Sequence, residues 1–441
     1  MTAQVTTDHL IEIMHSARQR TLELIEGLSD EQLVGPKLPI LNPMIWEIGH
    51  VAWFYEFFIL RQEYGCQPLL ERGDALYDSI AIAQDTRWDL PIYPLREMKD
   101  YMARVLDTLV DRLDGGLASE RDSYLYQFTT FHEDMHDEAF TWARQTLAYP
   151  TPSFAPEGLR AGRVAGSGSL DGDAVIPGGA FRFGSKPDDA FVFDNEKWAH
   201  DIDVAPFRMA RATVTCGQFA EFVEDGGYKT NSLWSEDGLA WRHGKDAAHP
   251  VYWKRDGSGG WKVRLFDRWN DLNPDSPVVH VNWHEANAYC IWDWRRLPTE
   301  VEWEFASTMR PGPDGVLFKA DNPWGDEPLT AVHANMNGFG LGCADVADYE
   351  AGDNAWGCRQ LIGNVWEWTS DAYFPSYSER TDAGSESHPY GLDPRQPGLA
   401  VGVIKGGSFL CAENFCRRYR PAARHAQDIL LGTNHIGFRT A

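Results

Sequence analysis

Residues 129–140 read TTFHEDMHDEAF. His132 and His136 stand four residues apart here, and in a helix that spacing puts both side chains on one face. Two imidazoles so placed suit a single metal ion. The same stretch belongs to the last of four segments in which apolar residues recur at helical spacing. The segments lie near 8–28, 43–64, 95–114 and 121–148; Leu10, Ile13, Met14 and Ala17 mark the first, and Met102, Val105, Leu106, Leu109 and Val110 the third. They predict an all-α four-helix bundle over 8–149, with a long connection after its second helix.

Beyond the bundle the texture of the sequence changes once. The stretch PTPSFAPEGLRAGRVAGSGSLDGD, residues 150–173, is rich in Pro, Gly and Ser and reads as a linker. After it come short β-like runs, abundant Gly, Trp and Asn, and many turns, which predict an irregular α+β domain over 174–441. A chain of 441 residues exceeds what one hydrophobic core usually supports, so two domains are expected.

A net charge of -25, with no basic stripe to offset it, argues against nucleic acid or an anionic membrane surface as a partner. A small neutral or cationic ligand fits better, and no obligate protein partner is implied. Aromatic residues make up 13% of the chain, including 18 Trp, enough to wall rigid pockets. The N-terminal MTAQVTTDHLIEIMHSARQR lacks the pattern of a signal peptide, and no run of about 18 apolar residues occurs. A cytoplasmic protein is expected. The seven cysteines are scattered, which predicts reduced thiols.

A third histidine, His50, sits in NPMIWEIGHVAWFYEFF on the second expected helix, where an unpaired imidazole would be costly. A lone histidine on an apolar helix is more often a satisfied core residue than a ligand. Packed against the last helix, His50 would complete a three-imidazole face. His132 to His136 also satisfies HExxH, the motif in which two histidines hold zinc and the glutamate is general base. A peptidase of that kind takes its third ligand from a following helix, whereas this chain runs into the linker. Three imidazoles suit zinc and iron alike.

The early histidine, the paired histidines, and the later runs FDNE (193–196), RLPTEVEWEFA (296–306), GNVWEWTSD (363–371), KGGSF (405–409) and GFR (437–439) together resemble the ergothioneine-type sulfoxide synthases. Taken singly, most of these later residues read as scaffold. The resemblance implies a DinB-like bundle joined to a formylglycine-generating-enzyme-like (C-type-lectin-like) domain. It also implies iron(II) on His50, His132 and His136, with dioxygen as co-substrate. The implied reaction attaches sulfur or selenium to C2 of the hercynine imidazole. That carbon is a poor electrophile, so an oxidant is needed. Aromatic faces would serve the quaternary ammonium of hercynine; Trp46, Trp53, Phe54, Phe409 and Phe415 are candidates. Tyr377 and Tyr390 are candidate proton donors.

The sequence also departs from the family pattern. Two arginines three residues apart are expected to clamp the carboxylates of a γ-glutamylcysteine donor, but AIAQDTRWDLP keeps only Arg87, with Gln84 in the partner position. That favours the sister activity, selenoneine synthase, which takes a neutral selenosugar. Arg87 paired with Asp85 or Asp89 is the structural alternative. Met135 stands where a glutamine commonly meets the acceptor, and YRPAARHAQD lacks the run associated with the hercynine head group. GGSFLCAENFCRRYR resembles the copper-binding cysteine pair of formylglycine-generating enzymes. Cys411 and Cys416 are therefore candidates for binding Cu(I), as in a copper-dependent oxidase, for a redox disulfide, for handling selenium, or for inert thiols. A binding module without catalysis is the remaining alternative.

Overall fold

The computed structural model describes residues 4–153, 167–336, 341–377, 391–392, 399–411 and 417–441. It divides into two compact units whose main boundary falls after Phe154; Pro187–Phe191 groups with the first unit. Of the expected linker, residues 154–166 lie outside the described residues, and a strand begins at Asp173.

The first unit is helical. Its elements are α1 (Thr7–Ile25), α2 (Asp30–Val34), α3 (Met44–Tyr55), α4 (Gly73–Tyr77), α5 (Leu95–Val110) and α6 (Glu120–Thr146). The four long ones match the apolar periodicity. In α5 the buried residues are Met98, Tyr101, Met102, Val105, Leu106 and Leu109, one stripe of a 3.6-residue repeat. Ser119 caps α6 by accepting from the Asp122 amide at 3.0 Å. α3 passes without a break into a π-helical stretch, Glu56–Glu63. The long connection that follows holds α4 and a 3-10 helix, Gln84–Asp89.

α6 has two unlike faces. Along one, Tyr124, Phe128, His132, Met135, His136, Ala139 and Trp142 are half-buried, the three-and-four spacing of a single helical stripe. The other is buried and polar. Arg18 of α1 donates from Nε to Glu133 at 2.8 Å, and Thr21 donates to Glu133 at 3.0 Å and to Asp137 at 2.7 Å. Arg18 and Glu133 thus pair with each other, as burial requires, while burial pushes the Asp137 carboxyl well above the usual carboxylate range.

The second unit is α+β. Its helices are α7 (Cys216–Glu224), α8 (Glu236–Lys245), α9 (Trp283–Trp292) and α10 (Glu300–Thr308), of which α7, α9 and α10 carry capping boxes. The largest sheet pairs Trp366–Ala372 antiparallel with Ala400–Lys405, which in turn pairs with His425–Asp428; Ile436–Gly437 runs parallel to the first. The quoted runs meet here as acid–base pairs. Glu196 receives Arg420 at 2.7 Å, Glu300 receives Arg424 at 2.7 Å, Glu304 receives Lys405 at 3.3 Å, and Glu367 receives Arg439 at 2.6 Å. Trp303 adds its indole N–H to Glu367 at 3.0 Å. These residues hold the fold, as their scaffold reading expects. Cys66, Cys216, Cys290 and Cys358 are free thiols.

Candidate metal centre

The sequence MIWEIGHVAWFY makes α3 an apolar helix with two polar interruptions, Glu47 and His50, three residues apart and so on one face. That face meets the half-buried stripe of α6. His50, His132 and His136 converge there, each offering one ring nitrogen, and those nitrogens lie within 4.8 Å of one another. Nε2 of His50 is 3.3 Å from Nε2 of His132.

Two of the rings are aimed by hydrogen bonds on their far side. Nδ1 of His50 lies 2.8 Å from the carbonyl oxygen of Tyr77. A carbonyl only accepts, so Nδ1 carries the proton, and in the neutral ring Nε2 is left with a lone pair facing the cluster. Burial, reinforced by His136, holds His50 well below the usual histidine range, so the ring is neutral. Nδ1 of His136 lies 3.2 Å from Glu47 Oε2, a carboxylate–imidazole pair that leaves its other nitrogen for a metal.

Stacking sets the remaining freedom. Trp46 lies parallel to His50 at 4.9 Å, and Phe54 lies parallel to His132 at 3.5 Å. Gly49 matters at the same level: a Cβ there would clash with the ring of Tyr77, the residue whose carbonyl aims His50. The cluster fits a resident divalent metal. Its three donors are imidazoles, and buried backbone and carboxylate groups present two of them in the ligating tautomer.

Of the other predicted site residues, Phe54 uses one face against His132, and Trp53, nearly buried, donates its indole N–H to Asp74 at 2.7 Å. Met135 is half-buried on the α6 stripe between the paired histidines. Arg87 is not paired with Asp85 or Asp89. It is buried, donating to Asn42 at 2.7 Å and to the carbonyls of Ser79 and Ile82 at 3.3 Å, with its guanidinium 3.9 Å from the Trp46 ring centre. Gln84 donates to the carbonyls of Leu38 and Leu41. Tyr377 packs into the core of the second unit beside Phe183 and His200. Burial, with Glu300 and Glu304 nearby, pushes its phenol well up. Phe409 and Cys411 are buried in that unit. Tyr390, Phe415 and Cys416 lie outside the described residues.

Glu47, Asn42 and Tyr77 were not singled out from sequence. The signal available was Glu47 itself, the one acid in α3, a turn before His50.

Comparison with known proteins follows the same division. Residues 13–140 match the DinB superfamily, and residues 163–441 match the sulfatase-modifying factor enzyme 1-like domain. A hercynine oxygenase of Mycolicibacterium thermoresistibile is 33% identical over 91% of this chain and 88% of its own length. The chain belongs to the hercynine oxygenase family. A second hercynine oxygenase, from Mycobacterium tuberculosis, is 35% identical over 81% of this chain and 83% of its own. A formylglycine-generating enzyme of Thermomonospora curvata, at 33% identity, covers 66% of this chain. The hercynine oxygenases therefore account for more of the chain than that enzyme does. No helix among the described residues is long and apolar enough to cross a membrane.

Proposed function

We propose that this chain is an iron(II)- and dioxygen-dependent oxidoreductase that forms a carbon–chalcogen bond at C2 of the hercynine imidazole. The observation that carries this reading is the three-histidine cluster, with two rings oriented by Tyr77 and Glu47, in a chain of the hercynine oxygenase family. Iron(II) bound to three imidazoles supplies the one-electron and dioxygen chemistry that joining two nucleophiles requires. The protein's part is to hold His50, His132 and His136 and to keep one face of α6 accessible. Glu133 takes no part as a base, because Arg18 and Thr21 occupy its carboxylate.

For the donor we infer a selenosugar. Arg87 spends its guanidinium on Asn42, Ser79, Ile82 and Trp46, and Gln84 spends its amide on two carbonyls. Neither presents a clamp for a dicarboxylate, and a neutral sugar needs none. The second reading, sulfur transfer from cysteine or γ-glutamylcysteine, is favoured by the likeness to hercynine oxygenases along most of the chain.

The test is anaerobic loading with iron(II), then exposure to air with hercynine and each donor in turn, with mass spectrometry of the products. A selenium adduct with the sugar alone is the expected result. A sulfur adduct with either thiol, and none with the sugar, overturns the donor assignment. No adduct with any donor overturns the reaction.

A further inference from the structure

We propose that Arg87 is a positioning residue for the metal centre, holding His136 through Asn42 and Glu47 and holding His50 through Trp46. This rests on the reading of the three histidines as metal ligands, and it gives Arg87 a task other than meeting the donor.

The first branch is a directed chain of hydrogen bonds. Arg87 Nη1 donates to Asn42 Oδ1 at 2.7 Å, Asn42 Nδ2 donates to Glu47 Oε1 at 2.8 Å, and His136 Nδ1 donates to Glu47 Oε2 at 3.2 Å. A guanidinium only donates and a carboxylate only accepts, so the Asn42 amide between them has one orientation that satisfies both. With one oxygen fixed by Asn42, the plane of Glu47 is set, and its second oxygen is delivered to His136.

The second branch is stacking. The Arg87 guanidinium lies 3.9 Å from the Trp46 ring centre, and Trp46 lies parallel to His50 within 9°. The branches meet on one turn of α3, since Trp46 and Glu47 precede His50 by four and three residues. The carbonyls of Ser79 and Ile82 fix the guanidinium from behind. A planar, delocalised cation that donates and stacks at once is what this geometry uses, and a lysine ammonium would supply neither the fork nor the flat face.

The test uses the full chain and cobalt(II), whose visible absorption reports its ligand geometry. Affinity is read by competition with a chelator, alongside thermal unfolding without metal. Arg87→Met is expected to weaken cobalt(II) binding by about 10–100-fold and to alter the spectrum, with Arg87→Lys showing the same change in spectrum. Should Arg87→Met fail to fold, Asn42→Ala decides, since it cuts the link between Arg87 and Glu47 while leaving the buried cation and the Glu47–His136 pair in place. The same loss is expected. Wild-type affinity and spectrum in the folded Arg87 variant, with a raised KM for a carboxylate-bearing donor alone, would overturn the inference and make Arg87 a clamp. His136→Ala separates the two claims. If that variant binds cobalt(II) as the wild type does, the metal-centre reading falls; if it loses the metal while Arg87→Met keeps it, only the positioning role falls.

Discussion

Glu133 follows His132 directly, where a zinc peptidase would keep its general base, yet its carboxylate is fully buried against Arg18. Neighbours on a helix point about 100° apart, so a residue next to a ligand need not face the metal. Breaking a buried pair leaves an uncompensated charge, here that of Arg18. Glu133→Gln should therefore lower stability by about 3–5 kcal/mol in urea unfolding, while leaving cobalt(II) affinity near that of the wild type. Lost metal binding with unchanged stability would restore the peptidase reading. The double variant Arg18→Met with Glu133→Leu should recover most of the stability, because an apolar pair of similar volume replaces the ion pair without an orphan.

At the scale of an element, α3 shows how packing aims chemistry. The missing side chain at Gly49 lets the Tyr77 ring lie against the helix backbone, which places the Tyr77 carbonyl at Nδ1 of His50. Gly49→Ala should drive that ring away at a cost of about 1–3 kcal/mol, and metal affinity should fall with it as the His50 ring loses its anchor. Circular dichroism melts and the cobalt(II) titration read the two effects separately. A variant that melts lower but binds metal as tightly would show that Tyr77 is packing alone. The paired histidines are legible from their spacing on α6. The aim of each ring is not, since Tyr77 and Glu47 reach His50 and His136 only across helix contacts.

Across the whole molecule, the second unit carries histidines that fold in the neutral form. Burial lowers His280 and His435 to about 3 and His284 to about 4. Unfolded, each protonates near 6.5. Below that pH the unfolded chain binds more protons than the folded one, and stability falls as pH drops towards 3. Glu285, raised by burial to about 7, acts in the opposite sense, its contribution being lost as pH rises from its unfolded value towards 7. Burial also raises Asp293 and Asp428 in this unit and Glu56 and Asp137 in the first, and these act in the same sense as Glu285. Each buried histidine nonetheless adds its own loss of stability with acid, which urea titrations between about pH 6.5 and about pH 4 read as part of the slope. His280→Asn should shallow that slope, since asparagine tolerates the left-handed φ of +64° at this position and does not titrate. An unchanged slope would place the acid sensitivity elsewhere.

The sequence alone determined the elements. Apolar periodicity marked the four long helices, and the four-residue spacing of His132 and His136 placed both on one face. Pro, Gly and Ser marked the change to an α+β texture. Those signals are local, written within a few turns of chain, where side-chain direction follows from backbone geometry. The partners were decided by tertiary structure. The acids of the later runs found their cations far along the chain, from Glu196 with Arg420 to Glu367 with Arg439. Arg87, which reads from its sequence context as half of a clamp for a substrate, became the buried end of a chain leading to His136. An arginine offers the same five donors to a carboxylate, a carbonyl or an aromatic face. Only the folded arrangement, by excluding water and bringing Asn42, Glu47 and Trp46 beside it, selects among them.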